Sequence, residues 1–282
     1  MQYTIAQTVE IKGIGLHSGV DSILTIAPAK EDTGIVFNRI DIKNSNPIRA
    51  LYSSVVDTRN CTCIGTDSKN IVSTIEHLMA VLYILGIDNA IISINNPEIP
   101  ILDGSGKVFY DVLSKVAKVE QKSKRKYLKV KKEIVFEDGK GASVQLLPAD
   151  SFSIKFNIDF PSKIVGKQNF EGDITEELFA KQIAPCRTFC EKYQVDYLKS
   201  IGLIKGGSLD NAVVLDGDTI LNPEGFRVEN ECVNHKVLDT IGDLYTSGYY
   251  ILGKVVANKS GHYHNNELLK KLFASTDNYE LL

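Results

Sequence analysis

The chain has 282 residues, 43% of them apolar and 24% charged, with a formal net charge of -3. That length accommodates two ordinary domains, and the mix is that of a soluble globular protein with a real core. The near-balanced charge gives no electrostatic reason to expect nucleic acid, and the five cysteines fit none of the paired CxxC spacings of a structural zinc site, so a reduced, cytoplasmic protein of small-molecule chemistry is expected.

The opening "MQYTIAQTVEIKG" lacks the cationic start and apolar core of a leader, and the longest apolar run, "LMAVLYILGI", is too short to cross a bilayer. Strand-like alternation follows in "YTIAQTVEIKGIGL", "SILTIAP", "GIVFNRI" and "IRALYSSVVDT", broken by Gly, Pro, Asn and Asp. The period then changes. Ile75, Leu78, Met79, Leu82 and Leu85 recur at helical spacing over 73–86, with Gly86 as the stop. A strand "NAIISI", a turn around "LDGSG" and a helix "KVFYDVLSKV" complete the first half. The Lys-rich stretch around 119–126 reads as a solvated linker, which sets a first domain at 1–121 and a second at 122–282.

The second half repeats the order: strands "YLKVKKEIVFED", "ASVQLLP" and "FSIKFNIDF", a helix over 229–247, a strand "YYILGKVVA", a turn "KSG" and a helix "NNELLKKLFA". An α+β fold of two domains with similar topology is expected, facing each other. Between them, 191–216 reads as an insertion of helix, Gly-rich turn and strand. Neither "GIGLHSG" nor "DGSGKVF" has the spacing of a dinucleotide fingerprint or a P-loop.

Chemistry concentrates in few residues. On the 229–247 helix, His235 and Asp239 are four apart, within reach of one cation, and Asp243 lies near the same stripe. Taken alone, such a stripe is more often a solvated polar face; a metal site needs a third ligand. His77 in "STIEHL" offers one, with Glu76 beside it as a base. Locally, Ser73 and Glu76 also have the spacing of a capping box, the simpler use of that stretch. Two nitrogens and one oxygen with a fourth position for water are what a catalytic zinc ion takes. Amide hydrolysis also needs a proton donor for the amine, for which His262 in "KSGHYHNN" is the candidate and His264 its competitor.

With these residues assembled, the sequence resembles the UDP-3-O-acyl-N-acetylglucosamine deacetylases, the zinc amidases of lipid A synthesis. The matching strings are "GIGLHSG", "STIEHL", "EIPILDGSG", "RTFC", "GLIKGGSLDNAVV", "NPEGFRVENE", "HKVLDTIGDLY" and "KSGH", colinear over residues 13 to 264. The resemblance implies an active site in the cleft between two like α+β domains. It carries zinc ligation onto His77, His235 and Asp239, and overturns the capping-box reading by making Glu76 the general base. His262 becomes the general acid or electrostatic stabiliser, Asp243 the carboxylate that orients it, and Thr188 the hydroxyl that stabilises the oxyanion. Lys236 becomes a substrate contact and Phe189 part of the sugar pocket. The 191–216 insertion is implied to wall an apolar acyl passage, for which Leu198 and Ile201 are suited; Lys205 is assigned to substrate phosphate.

The expected activity is removal of acetate from UDP-3-O-(3-hydroxyacyl)-N-acetylglucosamine by a monomer that needs no nucleic acid and no transmembrane segment. A related amidase of a different N-acyl sugar and a non-catalytic sugar-nucleotide or lipid binder are the rival functions. Cys232, three residues before His235, offers an alternative ligand, so iron(II) stands beside zinc as the metal.

Overall fold

A computed structural model describes all residues, 1 to 282. Period-two alternation turns one face of each strand inward: along Asp21–Pro28 it buries Ser22, Leu24 and Ile26, and along Ala90–Ile94 it buries Ala90, Ile92 and Ile94. These strands lie inside a five-stranded sheet ordered Val9–Ile14, Asp21–Pro28, Ala90–Ile94, Ile35–Arg39, Ile48–Arg49. Its neighbours are antiparallel except Ile35–Arg39 with Ala90–Ile94, which run parallel. Helix α1 (Glu76–Ile84) precedes the central strand and helix α2 (Lys107–Leu113) follows it.

The second half is built the same way. Its central strand, Tyr250–Asn258, pairs antiparallel with Ser143–Pro148 and parallel with Phe152–Asp159, and Ile134–Glu137 and Lys167–Asp173 flank these. Strands Tyr127–Val130 and Tyr279–Leu281 widen the sheet at the start of the central strand. After a single turn, α3 (Glu176–Leu178), and helix α4 (Lys192–Ser200), helix α5 (Glu231–Tyr245) precedes the central strand and α6 (His262–Phe273) follows it. The protein is thus α+β, with two halves of like strand order and like helix placement.

The central helices explain how the halves meet. Residues Glu76 to Leu82 of α1 are all buried, and Lys236 alone of α5 is not. A helix buried all round must be covered on every side, and α1 and α5 cover each other. Their approach needs Gly242: a Cβ there would lie 1.9 Å from the Glu76 carbonyl oxygen. One contiguous apolar core runs through both halves, from Leu24 and Ile92 to Val255 and Leu269.

Four local expectations are corrected. The opening strand is two, Tyr3–Ile5 and Val9–Ile14, the first pairing with Lys118–Glu120. The Lys-rich connection keeps its lysines exposed but is fastened rather than loose: Ser123 donates to Glu31 and Asp32, while Arg125 pairs with Asp88 and lies over the Tyr250 ring. The last helix begins at His262 itself, with Gly261 at its cap. The capping box at α1 does not form, because Ser73 is extended beside Glu98 and its hydroxyl donates to Pro97 O at 3.1 Å. Thr74 then takes a left-handed turn (φ 62°) into the helix. The 191–216 segment holds α4 and strand Val213–Asp216, which joins Phe189–Glu191 and Thr219–Ile220 in a small sheet.

Candidate metal centre

At the start of α5 a buried ion pair fixes the helix. The Arg187 backbone N–H and Nε both donate to Glu231 Oε1 at 2.9 Å, and both side chains are fully buried. Arg187 also reaches Glu224 and, at 2.6 Å, the Gly225 carbonyl. The next residues after Arg187, Thr188 and Phe189, are thereby set against the helix, with Phe189 edge-on to the His235 ring.

One turn further along α5, His235 Nδ1–H donates to the Cys186 carbonyl at 3.0 Å, which directs the Nε2 lone pair away from that carbonyl. Burial pushes the imidazole pKa down to about 3, so the ring is neutral. The Nε2 atom lies 3.4 Å from Asp239 Oδ1, one turn on, and His77 Nε2 of α1 lies 3.5 Å from the same oxygen. The His77 and His235 rings stand edge to face at 5.0 Å. One ligating atom from each of His77, His235 and Asp239 lies within 4.8 Å of the others, and all three residues are buried. Asp239 Oδ2 accepts from Lys236 Nζ at 2.8 Å, whereas buried Oδ1 has no hydrogen-bond donor. An orphaned carboxylate oxygen facing two imidazole nitrogens is costly unless a cation sits among them. The donor set fits a divalent ion.

Around the triad lie the other expected groups. Glu76 Oε2 accepts from the Thr62 backbone N–H at 3.0 Å, and Oε1 lies 3.9 Å from His262 Nε2. Burial pushes the Glu76 pKa up. His262 Nδ1 lies 2.9 Å from Asp243 Oδ2, so the pair shares a charge-assisted hydrogen bond. Burial alone would lower the His262 pKa, but the Asp243 and Glu76 carboxylates outweigh it and hold it up to about 9. Asp243 also accepts from Thr62 Oγ1 at 2.6 Å and Asn265 Nδ2 at 2.8 Å.

A cavity of about 1370 Å³ opens over this centre. Glu76, His77, His235, Lys236, Asp239 and His262 line it together with Thr188 and Phe189, and the insertion contributes Leu198, Ile201, Leu203 and Leu209. Lys205 is exposed and outside that lining. His264 is also elsewhere, 3.5 Å from Asp138 and packed against Phe136. Cys232 is not a ligand: it is fully buried in the apolar core, and burial pushes its thiol up to about 12.

Arg187, Glu231, Thr62 and Asn265 also shape the site without being among the residues expected from the sequence. Two had a signal. Glu231 continues the four-residue stripe of His235, Asp239 and Asp243, and Asn265 is one helical turn after His262. His17, inside the family-matching string "GIGLHSG" but given no role by it, lines the cavity with both ring nitrogens unpartnered.

Residues 2–274 match the family model described as UDP-3-O-acyl N-acetylglycosamine deacetylase. Proteins named UDP-3-O-acyl-N-acetylglucosamine deacetylase are similar over the whole chain. That of Syntrophotalea carbinolica is 43% identical over 281 residues, covering 100% of this chain and 90% of its own length. The Nitratiruptor protein is 43% identical with 93% of its length covered, and that of Pasteurella multocida 41% with 92%.

Proposed function

The chain belongs to the UDP-3-O-acyl N-acetylglycosamine deacetylase family, and on that premise we propose that it hydrolyses the acetamide of UDP-3-O-(3-hydroxyacyl)-N-acetylglucosamine, the deacetylation step of lipid A biosynthesis. The observation that carries the reading is the buried triad of His77, His235 and Asp239, contributed by both halves, on the wall of a large cavity that the insertion lines in part with Leu198, Ile201, Leu203 and Leu209.

We assign His77, His235 and Asp239 to a divalent ion, zinc by the two-imidazole, one-carboxylate donor set, with iron(II) the alternative. Bound there, such an ion supplies Lewis acidity, polarising a carbonyl and bringing the pKa of water to about 7. Glu76 takes a proton from the attacking water, a task suited to a carboxylate whose pKa burial has raised. The Thr188 hydroxyl donates to the carbonyl oxygen as negative charge develops on it. His262, kept charged by Asp243, gives its proton to the departing nitrogen as the C–N bond breaks, leaving acetate and a free amine.

Substrate contacts are proposed among the residues that line the cavity. Phe189 stands beside the sugar, Lys236 reaches the reacting end, and Leu198 and Ile201 border the acyl passage. Exposed Lys205 is assigned to phosphate at the rim. The division between halves is placed at residues 121 and 122. No helix is long and apolar enough to cross a membrane. Five free cysteines fit a reducing compartment, which for this chain we take to be the cytoplasm.

The test is acetate release from the 3-hydroxymyristoyl substrate beside unacylated UDP-N-acetylglucosamine, with chelator and zinc add-back. Zinc-dependent release strongly favouring the acylated compound is expected. Equal release from both would discard the acyl passage, and none from either would favour a binding protein.

A further inference from the structure

Thr62 lies in the first half, just before strand Cys63–Gly65, and is 3% exposed. It touches the base and the carboxylate that orients the acid. Its backbone N–H donates to Glu76 Oε2 at 3.0 Å, and its hydroxyl donates to Asp243 Oδ1 at 2.6 Å. Its carbonyl accepts from Ile75 N at 3.3 Å, so Thr62 is also tied to the entry of α1.

The second contact crosses between the halves. Asp243 sits on α5, and its other two donors, His262 Nδ1 and Asn265 Nδ2, both reach Oδ2 and both come from α6. Oδ1 therefore depends on Thr62 alone. A carboxylate held at one oxygen rotates about its terminal torsion; held at both, its plane is fixed, and with it the direction of the His262 ring. Because the same residue holds Glu76, the spacing of base and acid across the interface is set at one point.

We propose that Thr62 is a positioning residue for catalysis, a brace that fixes Asp243, and through it His262, relative to Glu76. This rests on the deacetylase reading. A purely structural role would have the hydroxyl do no more than satisfy a buried oxygen, and the two roles separate experimentally. Thr62→Val keeps shape and the backbone N–H to Glu76 while deleting the hydroxyl; Thr62→Ser keeps the hydroxyl.

Expected for Thr62→Val are a kcat lower by about 10- to 100-fold, as misplacement of a reacting group produces, and a KM within about twofold of wild type. Bound metal per chain should be unchanged. Thr62→Ser should restore most of the lost turnover. In an Asp243→Asn background, Thr62→Val should cost little more, because both changes remove the same alignment. Wild-type kcat in Thr62→Val, or an equal loss in both backgrounds, overturns the brace. If wild-type protein releases no acetate, the functional reading fails separately. Crystal structures of wild type and Thr62→Val then decide the brace: a turned Asp243 carboxylate supports it and an unmoved one overturns it.

Discussion

Asp239 divides its two oxygens between two duties. Oδ2 takes the Lys236 ammonium, and Oδ1 is left facing His77 and His235 with no proton donor. His235→Ala removes one nitrogen of the triad, so purified variant should carry far less metal than wild type by elemental analysis; full occupancy would remove His235 from the ligand set. Glu76→Gln keeps an acceptor for the Thr62 N–H, so metal content should stay while kcat falls by about 10²- to 10⁴-fold, the scale of a lost general base. The His262 titration belongs at this scale too. With its pKa raised to about 9, His262 is charged below that pH and loses its proton as pH rises through it. Side-chain nitrogen NMR of metal-free protein should find that midpoint near 9. Asp243→Asn deletes the main charge raising it, and loading with zinc adds positive charge nearby, so each should move the midpoint down. A midpoint indifferent to both would separate His262 from this cluster.

α5 is held at both ends by residues from other elements. At its start Glu231 meets Arg187, and Gln168 Oε1 accepts from the Val233 N–H at 3.1 Å; near its end Gly242 lets the α1 backbone approach. Gly242→Ala places a methyl group 1.9 Å from the Glu76 carbonyl oxygen, which forces the two helices apart. Overpacking of this kind costs roughly 1–3 kcal/mol, to be read as a lower urea midpoint, and turnover should fall further because Glu76 and Asp243 ride on the helices that separate. Unchanged values of both would mean the crossing is loose. The sequence revealed the apolar period of α1 and the alternation of the inner strands because burial imposes those patterns directly. It also pointed to the three candidate ligands, through the four-residue spacing of His235 and Asp239 on α5 and through His77 as the remaining imidazole beside a carboxylate. It hid what depends on distant partners. Lys167–Asp173 has little apolar alternation, yet Gln168 and Phe170 both face inward, the former because it caps a helix 65 residues away. Ser73 and Glu76 have the spacing of a cap, yet tertiary partners claim both: Pro97 takes the hydroxyl and Thr62 meets the carboxylate. Thr62 itself gave no signal, since its partners are 14 and 181 residues away.

Across the whole molecule, a cation at the triad would join His77 of the first half to His235 and Asp239 of the second. An ion that binds only the folded form stabilises it by mass action, about 4 kcal/mol at a thousand times its Kd. Chelation should therefore lower Tm by several degrees, and zinc add-back should restore it. A Tm unaffected by either would mean that no ion bridges the halves.

The crossing of α1 and α5 also sets the order of events during folding. Each half can pair its own strands early, but His77 and His235, 158 positions apart in the chain, could share an ion only after the two central helices dock. Such distant contacts form late and slowly. Cobalt(II) in place of zinc would give that docking a colour: after dilution from denaturant, visible absorbance of the bound ion should rise after the strand signal in far-ultraviolet circular dichroism, timing the moment at which two half-proteins become one catalyst.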